Sequence, residues 1–240
     1  MLTPLLIALQ FLTRLPVTSG GWSERDIGRS MLFYPLVGLL LGAVLAVVTV
    51  ALHAGAHGVA AAVVLAIWVL GTGALHLDGL ADSADAWIGG FGDSQRTLDI
   101  MRDPHCGPVA VAVVTVVLIT KFAALQALIA TNAWLAVATA PILGRVVLPL
   151  LFVTTRYVRA GGVGETLSKR LPRRTAVAIV VCFVVVAGVA NLWMTLTAAI
   201  VFVALRALMI RRLGGTTGDT AGAMVELIEA ATLVAASLLH

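Results

Sequence analysis

The chain has 240 residues, of which 60% are hydrophobic and only 12% charged, with a mean hydropathy of +1.03. Soluble domains average about 45–50% apolar and about 25% charged residues, so 16 basic and 12 acidic side chains cannot clothe a water-facing surface. The composition excludes a soluble enzyme and predicts an integral membrane protein. Two distant cysteines, Cys106 and Cys182, give neither a disulfide framework nor a zinc motif. Basic residues interleaved with apolar runs read as membrane topology, and no nucleic-acid partner is implied.

Met1 to Leu12 is apolar but too short to cross a hydrocarbon core of roughly 30 Å. It lacks the basic start and small-residue cleavage site of a signal peptide, so a membrane-surface or re-entrant helix is expected. Runs of spanning length follow: Met31 to Leu52, Gly58 to Leu75, Gly107 to Ala130, Ala133 to Val153, Thr175 to Leu192, Thr195 to Ile210 and Ala221 to Leu239. Their Ala, Leu and Val content without alternating polarity favours helices over a barrel. The predicted fold is an all-α polytopic bundle of about seven transmembrane helices plus a short N-terminal helix. Residues 1–240 read as one membrane-embedded domain.

This threading puts residues 1–30, 76–106, 154–174 and 211–220 on one side of the membrane. Residues 53–57, 131–132 and 193–194 and His240 fall on the other. Three cations, Lys121, Arg145 and Arg206, lie within spans; every other Lys and Arg lies on the first side. The asymmetry makes that side cytoplasmic and the chain a multi-pass protein of the cell inner membrane. Ionisable groups inside a span are costly and mark functional candidates, although Arg206, near a helix end, can snorkel. Gly38 and Gly42 form a small-xxx-small pair suited to helix packing within one chain or between the chains of a homo-oligomer.

Six of the twelve acids fall between the second and third spans. There Asp78, Asp82 and Asp85 are spaced i, i+4, i+7, so on a helix they share one face, with His76 just before them. Carboxylates so placed repel one another unless a cation neutralises them, and Mg2+ suits oxygen ligands while keeping positions open for substrate phosphates. The plainer reading is a solvated acidic face. A second polar island, residues 211–229, lies on the same side. Its Gly214, Gly215 and Thr217 make a loop whose N–H groups can approach a phosphate, or simply a helix stop and cap. Asp219 adds a fourth carboxylate, and Glu226 and Glu229, within an apolar span, need a partner or a metal. Arg102 and His105 close the acidic segment. With Lys121 and Arg145, they are expected either to pair with acids or to hold an anionic substrate.

LHLDGLADSADAWIGG (75–90), with FLTRLPV (11–17), FYPLVGLLLG (33–42), IMRDPHCGPVAV (100–111), KFAAL (121–125), GR (144–145) and GGTTGDTAGA (214–223), resembles the cobalamin synthase, or adenosylcobinamide-GDP ribazoletransferase, family in order and spacing. It departs from the expected pattern at Arg102, where Lys is expected. The resemblance implies a Mg2+-dependent transfer on the cytoplasmic side: adenosylcobinamide-GDP and α-ribazole, or its 5′-phosphate, give adenosylcobalamin, or its phosphate, and GMP. It implies Asp78, Asp82, Asp85 and Asp219 as metal ligands. The hydroxyl proton then goes to one of these carboxylates (Asp82 or Asp85) or to His76. Arg14, Arg102, His105, Lys121, Arg145, Gly214, Gly215 and Thr217 are the candidate substrate contacts. Attack on a diphosphate needs in-line positioning and charge neutralisation, which such groups supply. Two rivals fit less well. A secondary transporter should carry its acids near the bilayer midplane. A lipid phosphotransferase using cytidine-diphosphate alcohols should carry Ala-Arg after its Asp-Gly, where this chain has Leu80, Ala81 and Asp82.

Overall fold

A computed structural model describes residues 2–17 and 21–239. Among them lie twelve α-helices and no strand, with one isolated bridge between Tyr157 and Thr216. In chain order the helices are α1 (Leu2–Leu12), α2 (Glu24–Ser30), α3 (Tyr34–Leu52), α4 (His57–Thr72), α5 (Leu75–Gly89), α6 (Ser94–Ile100), α7 (Pro108–Ala130), α8 (Trp134–Thr154), α9 (Val163–Arg170), α10 (Arg173–Ala190), α11 (Leu192–Leu213) and α12 (Gly218–Leu239). The all-α expectation holds.

Six segments are long and apolar enough to cross a membrane: Glu24–Leu52, which contains α2 and α3, and the helices α7, α8, α10, α11 and α12. The remaining expected span differs in its ending, because α4 gives way to α5 through a bend of 86°. Gly73 and Ala74 both take left-handed backbone there, with φ of 64° and 57°. Gly73 suits that conformation, and a Cβ on it would also collide with the Arg14 guanidinium. The Arg14 N–H donates to the Gly71 carbonyl at 2.8 Å. The end of α4 is therefore tied to the chain leaving α1, as the expected side assignment requires. Much of segment 76–106, read from sequence as a polar connection, is helix: α5 packs between α12 and α7 and is followed by the short α6.

At the centre stand α8 and α12, whose residues are mostly buried, with α3 lying along α8. The Gly38–Gly42 pair makes that contact: a Cβ on Gly38 would stand 2.6 Å from the Pro141 carbonyl oxygen, and one on Gly42 would run into the Ala138 carbonyl. The small-residue stripe is thus taken up within the chain. Around this centre α10 turns Val177, Val181, Val185 and Val189 outward, a fully apolar strip of the kind that lipid covers.

Candidate active site

LDGLAD opens α5 and GGTTGD leads into α12, and the two helices touch through glycine. A Cβ on Gly79 would lie 2.7 Å from the Asp219 carbonyl oxygen, and one on Gly222 would lie 3.3 Å from the His76 Cα. This approach puts Asp78 and Asp219 on the wall of one cavity of about 200 Å3, together with His76, Tyr34, Phe152 and Tyr157. Asp82 follows one turn after Asp78. Its carboxyl is pushed up to about 6, first by burial and then by the charges of Asp78 and Asp219. Arg159, from the segment between α8 and α9, answers that charge with its Nη1 donating to Asp219 Oδ2 at 2.6 Å. Arg159 thus answers the charge of Asp82 and Asp219, with Asp78 adding a further carboxylate beside them. Hard oxygen donors in excess of their counter-charge are a donor set that suits Mg2+. Among the described residues, no three of these acids stand close enough together to enclose one ion.

Asp85 departs from the expected role. Its carboxylate accepts from the Gly107 and Ala110 N–H groups at 2.6 and 2.9 Å, capping the start of α7. The Gly-Thr turn likewise takes the plainer of its two readings. Gly214 ends α11 in left-handed backbone, and Gly215 passes against the Arg156 carbonyl. Thr217 and Thr220 cap each other, the Thr217 N–H donating to Thr220 Oγ1 (2.9 Å) and the Thr220 N–H to Thr217 Oγ1 (3.2 Å). Because the Thr216 N–H goes to the Arg156 carbonyl, this turn does not present a row of amides to a phosphate. Of the whole island, Gly218, Asp219, Ala221 and Gly222 reach the cavity wall, and of these only Asp219 is charged.

Lys121 and Arg145 are buried and paired. Lys121 Nζ donates to Glu226 Oε2 and Glu229 Oε2, each at 2.6 Å, with the Trp68 ring 4.8 Å away. Arg145 pairs with Glu229. Two cations and two carboxylates balance, which is what makes four charges tolerable among packed helices. Arg145 Nη2 also lies 3.4 Å from His76 Nδ1. A guanidinium only donates, so Nδ1 accepts and the ring proton sits on Nε2. His76 is therefore arranged as a donor, not as the base that sequence left open. Arg14 donates to the Gly73 carbonyl at 3.4 Å and braces the bend. Arg102 and His105 are exposed in the turn before α7, where His105 Nδ1 meets Asp103 at 2.5 Å. None of these three lines the cavity.

A family model described as Cobalamin-5-phosphate synthase matches residues 4–237. The chain belongs to the cobalamin-5-phosphate synthase family. It is 54% identical to a protein of Pseudomonas fluorescens (strain Pf0-1) named adenosylcobinamide-GDP ribazoletransferase, with 98% of this chain and 99% of that one covered. Proteins of the same name from Pseudomonas entomophila (strain L48) and Stutzerimonas stutzeri (strain A1501) are 53% and 51% identical, again over 98% of this chain and over 99% and 98% of theirs. No solved structure matches it.

The residues matched by the cobalamin-5-phosphate synthase model contain every wall of the cavity. Arg159, which pairs with Asp219, and Tyr157, on the cavity wall, were not singled out from sequence. Arg159 is one of several cations in residues 154–174, and nothing in the pattern marks it. Tyr157 is placed by the bridge to Thr216, where the Val158 N–H donates to the Thr216 carbonyl at 3.0 Å, a pairing across some sixty positions that no local signal encodes.

Proposed function

We propose that this protein joins α-ribazole, or its 5′-phosphate, to the corrinoid phosphate of adenosylcobinamide-GDP and releases GMP. On this reading it works at the cytoplasmic face of the cell inner membrane with Mg2+ held by Asp78, Asp82 and Asp219. The observation that carries the reading is the Gly79–Asp219 approach, which brings the carboxylates of two segments, far apart in sequence, to one cavity. The names of the relatives supply the reaction. Asp85 is left out of the ligand set because both its oxygens already serve α7.

In the transfer, a ribose hydroxyl of α-ribazole forms a bond to the phosphorus nearer the corrinoid, and the bond from that phosphorus to the GMP oxygen breaks. When bound, Mg2+ would neutralise charge on the diphosphate. Arg159, already at the carboxylates, offers N–H groups to phosphate oxygens. His76, on the cavity wall with its Nδ1 against Arg145, keeps its Nε2–H as a donor. The hydroxyl proton passes to a carboxylate, since the acceptor nitrogen of His76 is occupied. The cavity wall pairs apolar Phe11, Leu148 and Phe152 with these polar groups, which suits a large amphipathic substrate.

The test is the purified protein in liposomes with adenosylcobinamide-GDP and α-ribazole, with and without Mg2+. Equal amounts of GMP and cobalamin appearing only with Mg2+ are expected. Folded protein that forms neither product would overturn the reading. Product formed equally well in chelator would overturn the metal assignment alone.

A further inference from the structure

We propose that the cleft between α5, α7, α11 and α12 is a binding site for an anionic phospholipid. One acyl chain lies in the cleft, and the headgroup phosphate sits at Arg211 and Arg212. The proposal does not depend on the reaction assigned above. At roughly 100° per residue, Leu80, Ala84 and Trp87 point from α5 in the direction opposite to Asp78, Asp82 and Asp85, so this cleft and the acidic cavity lie on opposite sides of one helix. It has a volume of about 290 Å3 and a wall that includes Val113, Leu205, Met224 and Leu227. It lies between α7 and α11, which turn Val116, Ile119, Ile200 and Val203 outward. An occupant arriving along such a surface comes from the bilayer.

Charge at one end selects the class of lipid. A smaller hollow shares Trp87 and Leu208 with the cleft and is lined further by Gly92, Arg211 and Arg212, with no carboxylate in its wall. Arg212 is held there, its Nη2 donating to the Trp87 carbonyl at 2.7 Å and its guanidinium carbon 5.7 Å from the centre of the indole. Its Nε has no hydrogen-bond partner, and Arg211 is exposed and makes no ion pair among the described residues. A tryptophan beside two arginines is the side-chain set found at headgroup depth. One turn back along α5, Ser83 is buried on the cleft wall with its Oγ unpartnered. A hydroxyl about 6 Å along the helix from Trp87 matches the ester carbonyl that lies just below a lipid phosphate, and gives Ser83 an acceptor. A free phosphate would leave both the cleft and Ser83 unfilled.

The test is native mass spectrometry of the full chain, delipidated in detergent and titrated with phosphatidylglycerol or with phosphatidylcholine of the same acyl chains. The wild type is expected to prefer phosphatidylglycerol by about tenfold. Arg211→Gln with Arg212→Gln should bring the two lipids within twofold, and Ala84→Leu, which narrows the cleft, should weaken both. Arg211→Lys with Arg212→Lys keeps the charge and should keep most of the preference, which separates lost charge from lost folding. Arg173→Gln with Arg174→Gln, on the same side but away from the cleft, should leave the preference unchanged. Equal binding of the two lipids by the wild type, an equal loss in the Arg173/Arg174 variant, or full displacement by glycerol phosphate would each overturn the proposal.

Discussion

Replacing Gly79 with alanine tests whether the contact between α5 and α12 sets the geometry of the cavity. The added methyl carbon would stand 2.7 Å from the Asp219 carbonyl oxygen, whereas carbon–oxygen contacts between packed helices begin at about 3.3 Å. The helices would have to part by about 0.6 Å. Overpacking of this kind costs about 1–3 kcal/mol. Since a misplacement of about 1 Å costs roughly a hundredfold in rate, a shift of little more than half that should cost about tenfold. The assay is initial GMP release in liposomes at saturating substrates, with thermal unfolding of the same sample. Gly188→Ala is the control: nothing lies within 4 Å of a Cβ there, and alanine should stabilise α10 by up to about 1 kcal/mol without changing the rate. A Gly79→Ala protein with wild-type rate and melting temperature would refute the reasoning.

Three further outcomes are expected. Lys121→Met leaves Glu226 and Glu229 facing Arg145 alone and should destabilise by about 3–5 kcal/mol; adding Glu226→Gln restores the balance and should recover part of that, as read by melting temperature. Asp85→Ala removes the cap of α7 and should cost about 1–2 kcal/mol while leaving the Mg2+ requirement unchanged; an unchanged melting temperature with a raised Mg2+ requirement would instead make Asp85 a ligand. The Asp82 carboxyl, raised to about 6, must lose its proton before it can bind a cation. The Mg2+ concentration for half-maximal rate should therefore be flat above that pH and climb as pH falls through it, by up to about tenfold per unit. Asp82→Asn should remove that slope, and a wild-type profile flat down to pH 5 would contradict it.

Sequence carried the spans well, because apolar length and the side taken by Arg and Lys are one-dimensional properties. It also singled out Asp78 and Asp219, which the fold brings to the wall of one cavity. It could not choose for groups whose partners lie far along the chain. Lys121 and Arg145 meet Glu226 and Glu229 across more than eighty positions, so of the two roles the sequence left open, the fold shows the pairing with acids. Thr217 resembled part of a phosphate loop because hydroxyls that cap a helix and hydroxyls that hold a ligand are the same residues. The bend at Gly73 and Ala74 was invisible for a related reason: an apolar run reads the same whether it continues or turns, and only the Arg14 side chain against Gly73 shows which.

The balanced charges in the middle of the bundle bear on how the chain is made. Lys121 on α7 and Arg145 on α8 are synthesised some eighty to a hundred residues ahead of Glu226 and Glu229 on α12. Until that helix is inserted, both cations stand in the bilayer without the carboxylates that neutralise them. The same helix brings Asp219 to the cavity. Arrival of α12 thus completes both the electroneutrality of the bundle and the acidic cavity in a single late event of membrane insertion. A chain halted short of it would present cell quality control with an unmatched pair of positive charges and no assembled centre.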